Sequence, residues 1–327
     1  MKRVVWRRGA MVMAGAIASL AIVSVATGAG PEYNLKKLKG SITADGSSTV
    51  GPYTTAAAEL FRRAGAGGVK VTVGISGTGG GFQRFCKGET DLSDASRPMR
   101  ISEAQSCKTN NIGSWRAFTV ANDALTVVVN QQNTWANCLS VAELKKIWEP
   151  GSKVNNWKDV RPGFPDVPLK LFGAGTDSGT FEYFTEAING RARASRTDYQ
   201  ASEDDNVLVQ GVAGERGGMG YFGYSYFIEN QSRLNAVQVR NPKTESCVAP
   251  NVNTVHNNSY KPLSRPLFIY AKGSSFKRTE VQAFLDYIFD NEVKIAQRAR
   301  FVPLTPTQLK RARTNFLLAV KAARKGQ

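Results

Sequence analysis

Histidine is almost missing from this sequence: His256 is the only one in 327 residues. That scarcity excludes most zinc sites, every His-x-x-x-His pair and any mechanism that needs two imidazoles. A Ser-His-Asp triad would have to run through His256, which sits in the polar stretch Asn253-Thr-Val-His-Asn-Asn258 and reads as a solvated loop histidine. The four cysteines, Cys86, Cys107, Cys138 and Cys247, contain no C-x-x-C pair, which argues against a zinc ribbon or a redox dithiol. No G-x-x-x-x-G-K-[ST] nucleotide loop occurs. After residue 30 no apolar run is long enough to span a bilayer. Acidic side chains are few, 26 against 43 Lys and Arg, for a formal charge of +17.

The first 30 residues hold Lys2, Arg3, Arg7 and Arg8, then an apolar run from Ala10 to Thr27 without an acidic residue. A basic start, an apolar middle and a small-residue exit make an export signal over residues 1–29, with cleavage expected near Ala26 or Ala29. The run is just long enough to remain as an uncleaved anchor instead, and no cysteine follows it to carry a lipid. Export favours disulfides, and four cysteines allow three connectivities. Removing the signal takes four positive charges with it and leaves +13, a balance that suits an anionic partner. From Asn291 to Gln327 nine Lys or Arg stand against Glu292 alone. This basic tail reads as a solvated helix face, with contact to an acidic membrane or partner as the alternative. No nucleic-acid signature accompanies it, and no nucleic acid is expected as a partner.

Along the rest of the chain short β-branched runs alternate with helical patterns. Val69 to Ile75 alternates strictly, as a half-buried strand does, and Leu125 to Val129 and Leu267 to Tyr270 are continuous apolar runs. Helices are expected at Tyr53 to Ala64, Ser140 to Trp148, Gly179 to Ile188 and Glu280 to Arg298. The order predicts an α/β architecture with a mostly parallel sheet. Four loops rich in Gly, Ser, Thr and Asp fall where a strand meets a helix: Ala44 to Val50, Gly74 to Gly81, Asp91 to Pro98 and Gly173 to Thr180. Small residues there let backbone N–H groups approach a ligand, hydroxyls add donors, and the following helix turns its positive end to the same point. Singly, each loop could be an ordinary helix cap. Four together suggest an anion cage.

These loops carry a resemblance. Asp45-Gly-Ser-Ser-Thr-Val, Ser76-Gly-Thr-Gly-Gly-Gly, Asp91-Leu-Ser-Asp-Ala-Ser-Arg-Pro and Gly175-Thr-Asp-Ser-Gly-Thr-Phe-Glu-Tyr-Phe are similar to the substrate-binding proteins of phosphate ABC transporters. So are Ser202 to Val212, Gly220-Tyr-Phe-Gly-Tyr and Leu263-Ser-Arg-Pro-Leu-Phe, over about residues 40 to 305 in the same order. The resemblance implies a two-lobed periplasmic-binding-protein fold of type II with two hinge crossings and phosphate in the interlobe cleft. One lobe would comprise residues 40–120 and 265–327, the other 121–264. This division favours the disulfides Cys86–Cys107 and Cys138–Cys247, each within one lobe. The implied function is binding of inorganic phosphate outside the cytoplasm and delivery to a membrane permease, by a monomer without cofactor, metal or catalytic residue.

Residue by residue, the resemblance makes Ser48, Thr49 and the backbone of Val50 the first phosphate donors, then Ser76 and Thr78, and finally Ser178, Gly179 and Thr180. It is imperfect at two points. Where well-known members have a proton-accepting Asp in the third loop, this chain has Arg97. Where they place an arginine ahead of the Asp-Gly-Ser-Gly-Thr loop, it has Ala174. Arg97 is therefore expected to supply the guanidinium, and Asp177, Asp45 or Asp94 the proton acceptor. Alternatives are a binder of sulfate or molybdate and, less well supported, an exported serine hydrolase or phosphatase, since no general base accompanies the serines.

Overall fold

The computed structural model describes residues 31–325, so the export signal expected at 1–29 lies outside the described residues. The chain first lays down β1 (Gly40–Gly46), α1 (Gly51–Arg63), β2 (Val69–Ile75), α2 (Gly77–Cys86), β3 (Leu92–Ala95), α3 (Ile101–Thr109) and the long β4 (Trp115–Asn130). It continues through β5 (Cys138–Leu139), α4 (Val141–Trp148), β6 (Lys170–Ala174), α5 (Gly179–Asn189), β7 (Gln200–Ser202), α6 (Asp205–Gly214), β8 (Gly218–Gly223) and α7 (Tyr224–Glu229). After β9 (Leu234–Ala236), β10 (Gln238–Arg240), β11 (Cys247–Val248) and α8 (Val252–His256), it ends with β12 (Ser264–Lys272), α9 (Thr279–Asp290), α10 (Glu292–Arg298) and α11 (Pro306–Lys325).

Among the described residues two large hydrophobic cores form beside three smaller clusters. Ile42, Tyr53, Phe61, Phe118, Phe284 and Phe316 pack in the first, and Leu125, Trp148, Trp157, Phe184 and Tyr221 in the second. β4 serves both, giving Phe118, Val120 and Ala121 to one and Leu125, Val127 and Val129 to the other. β12 returns antiparallel beside it, with Leu267, Ile269 and Ala271 in the first core. A single sheet order, β2-β1-β3-β12-β4-β8-β6-β7, therefore runs through both lobes of the α/β fold, with β9 beside β4. The flanks β2-β1-β3 and β8-β6-β7 are parallel, as the alternating pattern implies. The centre is not: β12 is antiparallel to β3 and β4, and β4 to β8, because one crossing strand leaves the first core and the other comes back.

Disulfides join Cys86 to Cys107, from α2 to α3, and Cys138 to Cys247, from β5 to β11. Two local expectations change. The helix read from Glu280 to Arg298 breaks at Asn291, whose side-chain Nδ2 donates to Tyr287 O (3.0 Å). Glu292 is thereby turned inward, where its Oε1 accepts the N–H of Leu304 (2.8 Å). His256 is not a solvated loop residue: it closes α8, and its Nε2 lies 2.9 Å from Pro303 O. Among the described residues no helix is long and apolar enough to cross a membrane.

Candidate functional site

Each parallel flank ends its strands at the same side of the sheet, where the Gly/Ser/Thr loops emerge. β1 gives way to α1 through Ser47, whose Oγ accepts the N–H groups of Thr49 (3.2 Å) and Val50 (3.4 Å) and so caps the helix from outside. Gly46 is needed here: its φ is +147°, and a Cβ would fall 2.1 Å from Asp94 O. α5 opens with Ser178, whose Oγ accepts from Thr180 N–H (3.1 Å). The two helix starts face one another across a cavity of about 760 Å³, lined by Ser48 and Thr49 from one side and Ser178, Gly179 and Thr180 from the other. The approach is close: Thr49 Oγ1 donates to Gly179 O (3.4 Å), and a Cβ at Gly179 would lie 2.6 Å from that hydroxyl.

Asp123 of β4 lines this cavity, and behind it and Thr49 stands Arg265. Arg265 of β12 stands opposite Asp123 of β4 in the ladder. Its Nε donates to Asp123 Oδ2 (3.3 Å), a terminal N–H donates to Thr49 Oγ1 (3.0 Å), and the guanidinium lies 3.4 Å from the Tyr183 ring centroid. Both charged side chains are largely enclosed, 12% and 6% exposed. Burial raises the Asp123 carboxyl above its ordinary pKa while Arg265 pulls it back. Tyr183 holds the arrangement from behind by donating its hydroxyl to Pro262 O (2.7 Å). A guanidinium beside two hydroxyl-bearing helix starts is a site for a small oxyanion.

Ser48, Thr49, Ser178, Gly179 and Thr180 are thus brought together. The other expected residues are engaged elsewhere. Val50 is fully buried in the first core, and its N–H is taken by Ser47. Ser76 donates its hydroxyl to Asp45 Oδ1 (2.7 Å), and Asp45 also pairs with Arg84. Thr78 is buried against Ser96 (Oγ1 to Oγ 3.1 Å). Arg97 does not line the cavity: it makes a two-pronged pair with Glu103 (2.7 and 2.9 Å) and lies over Phe82. Of the expected proton acceptors, Asp45 is committed to Ser76 and Arg84. Asp94 is buried below Thr54 (Thr54 Oγ1 to Oδ1 2.9 Å), and Asp177 is exposed.

Sequence reasoning passed over Arg265, Asp123 and Glu182. Glu182, in the first turn of α5, accepts from Ser48 Oγ across the cleft (3.3 Å) and pairs with no cation among the described residues. The sequence hinted at two of them without showing that they pair. Arg265 and Asp123 are charges embedded in the segments that border the apolar runs, and a buried charge demands a partner. Asp205, farther out on the cavity wall, is pushed up to about 6 by burial.

Comparison with known proteins shows the family. Residues 31–292 match the family model of a PBP superfamily domain. The chain is 44% identical over 287 residues to Protein SphX of Synechococcus elongatus, covering 87% of this chain and 84% of that protein. It is 35% identical over 282 residues to the phosphate-binding protein PstS of Staphylococcus saprophyticus, covering 85% of each. A crystal structure of a possible phosphate binding protein from Planctomyces limnophilus superposes with a TM-score of 0.82 at 46% identity, covering 86% of this chain and 99% of that one.

Proposed function

The chain belongs to the PBP superfamily, among the substrate-binding proteins of phosphate ABC transporters, and on that premise we propose that its cleft holds one inorganic phosphate between the starts of α1 and α5. It binds phosphate outside the cytoplasm and hands it to the permease of an ABC transporter. The observation that carries the site assignment is Arg265, a nearly enclosed cation that bonds Thr49 of one lobe while lying on Tyr183 of the other. Phosphate placed there would receive hydroxyls from Ser48, Thr49, Ser178 and Thr180 and charge from Arg265. In this reading Arg97 supports α3 through Glu103 and does not touch the ligand. The lobes comprise residues 40–120 with 265–327, and 121–264, hinged at β4 and β12.

Discrimination needs a group that treats phosphate and sulfate differently. Phosphate near neutral pH carries a proton and fully ionised sulfate carries none. A carboxylate at the site therefore accepts a bond from the first and repels the second, a difference worth a few kcal/mol when buried. Glu182 meets the requirement, since it faces Ser48 across the cleft without a cation of its own. Calorimetric titration of phosphate-stripped protein, first with phosphate and then with sulfate, tests the function. One phosphate per chain and weak or absent sulfate heat is the expected result. Preference for sulfate, or no heat with either anion, would refute it.

A further inference from the structure

The segment 299–303 follows the return of the chain to the first core, yet it reaches across the cleft to elements of the second. α10 ends in a Schellman turn: Phe301 N–H donates to Ala296 O (2.8 Å) and Arg300 N–H to Gln297 O (3.1 Å). The residue at the left-handed position of this turn is Arg300, with φ +62°. Glycine is the default there, because any Cβ crowds the neighbouring carbonyl. An arginine sacrifices stability at this point, and what its side chain reaches accounts for it.

The Arg300 guanidinium lies 4.4 Å from the ring centroid of Tyr226 and pairs with Glu229, both on α7. Its carbonyl accepts from Ser225 Oγ (2.9 Å), on the same helix. Next along the segment, Val302 and Asn122 exchange two backbone bonds (2.9 Å each), which ties the strap to the crossing strand β4. Arg300 and Tyr226 also line the outer part of the cavity whose inner part holds Thr49 and Thr180. Three contacts thus join one residue of the first lobe to one short helix of the second at the cleft mouth.

We propose that Arg300 is a positioning residue that clasps the closed cleft and slows the release of bound phosphate. This rests on the phosphate reading above. On this proposal opening parts α7 from the strap and breaks these contacts, so they favour the closed state over the open one by their own interaction energy. They leave the anion's direct bonds untouched. Arg300 and Glu229 remain 42% and 54% exposed, so the effect is modest and appears in the dissociation rate.

Stopped-flow measurement of phosphate release, paired with thermal unfolding of the ligand-free chain, tests the clasp. Arg300→Gly should release phosphate about three- to tenfold faster, with association nearly unchanged, while its ligand-free Tm rises because the left-handed turn is relaxed. A residue with only a structural role would move both quantities for the worse. Glu229→Gln, which leaves the turn alone, should speed release without shifting the ligand-free Tm. Parental release rates in both variants would overturn the clasp alone, as would an Arg300→Gly chain that loses ligand-free stability. A parent chain that binds no phosphate would overturn the reading beneath it as well.

Discussion

A buried guanidinium persists only where its donors are used, and Arg265 spends its own on Asp123 and Thr49 at the meeting point of the lobes. Removing it leaves the Asp123 carboxylate without its cation beside the anion. Arg265→Ala is therefore expected to weaken phosphate by more than about 2 kcal/mol in calorimetry, the scale of losing a charged hydrogen-bond partner. Arg97→Ala should change the affinity little, because that side chain is spent on Glu103. Glu182→Gln makes a separate point. Phosphate should still bind, but the margin over sulfate, measured by competition, should narrow by tenfold or more if the carboxylate provides the discrimination. The hydroxyls of this site were legible in the sequence, since Ser-Thr and Ser-Gly-Thr stand at strand-to-helix junctions where capping and anion binding share the same chemistry. The cation was not. Arg97 lies in a loop that looks like the others, whereas Arg265 takes its meaning from facing Asp123 across a ladder that joins positions 142 residues apart.

At the scale of elements, the strands and helices with strong local patterns were readable. Val69–Ile75 spans the residues its alternation gives, and Leu125 to Val129 lies inside the fully buried half of β4. What failed were places where a distant partner overrides the pattern. The apolar periodicity from Glu280 to Arg298 continues through Asn291, but Glu292 turns inward to meet Leu304, and one helix becomes two. Burial raises the Glu292 carboxyl from 4.5 to about 7, with the Leu304 N–H opposing. The folded chain therefore keeps this proton over a range of pH in which the unfolded chain has released it. The carboxyl's contribution to stability is greatest below about pH 4.5 and is lost as pH rises through 7. Asp94, raised to about 7 by burial, acts in the same direction. The Tm of the ligand-free chain should contain a component that falls between about pH 4 and 7, and Glu292→Gln should flatten part of that fall. The disulfides act on the unfolded chain. Cys138–Cys247 spans 109 residues and Cys86–Cys107 spans 21, so denaturant unfolding should lose about 4–5 kcal/mol on replacing the first pair by Ser and about 3 kcal/mol on replacing the second.

For the whole molecule, the two crossing strands decide what the cleft can do. β4 runs through both hydrophobic cores and β12 returns beside it to the first, so in the proposed site an anion on Arg265 sits where the two lobes join. Closure brings Gly179 against Thr49 with no room for a side chain. Gly179→Ala should fold with an unchanged ligand-free Tm but lose most of its phosphate affinity, and small-angle scattering should no longer show compaction when phosphate is added. The most direct measurement is the position of phosphate in crystals of the phosphate-loaded chain. The phosphorus is expected between the starts of α1 and α5, with phosphate oxygens hydrogen-bonded to Thr49, Thr180 and Arg265. Phosphate held by one lobe alone, or seated on Arg97 with Arg265 still closed onto Asp123, would contradict the assignment.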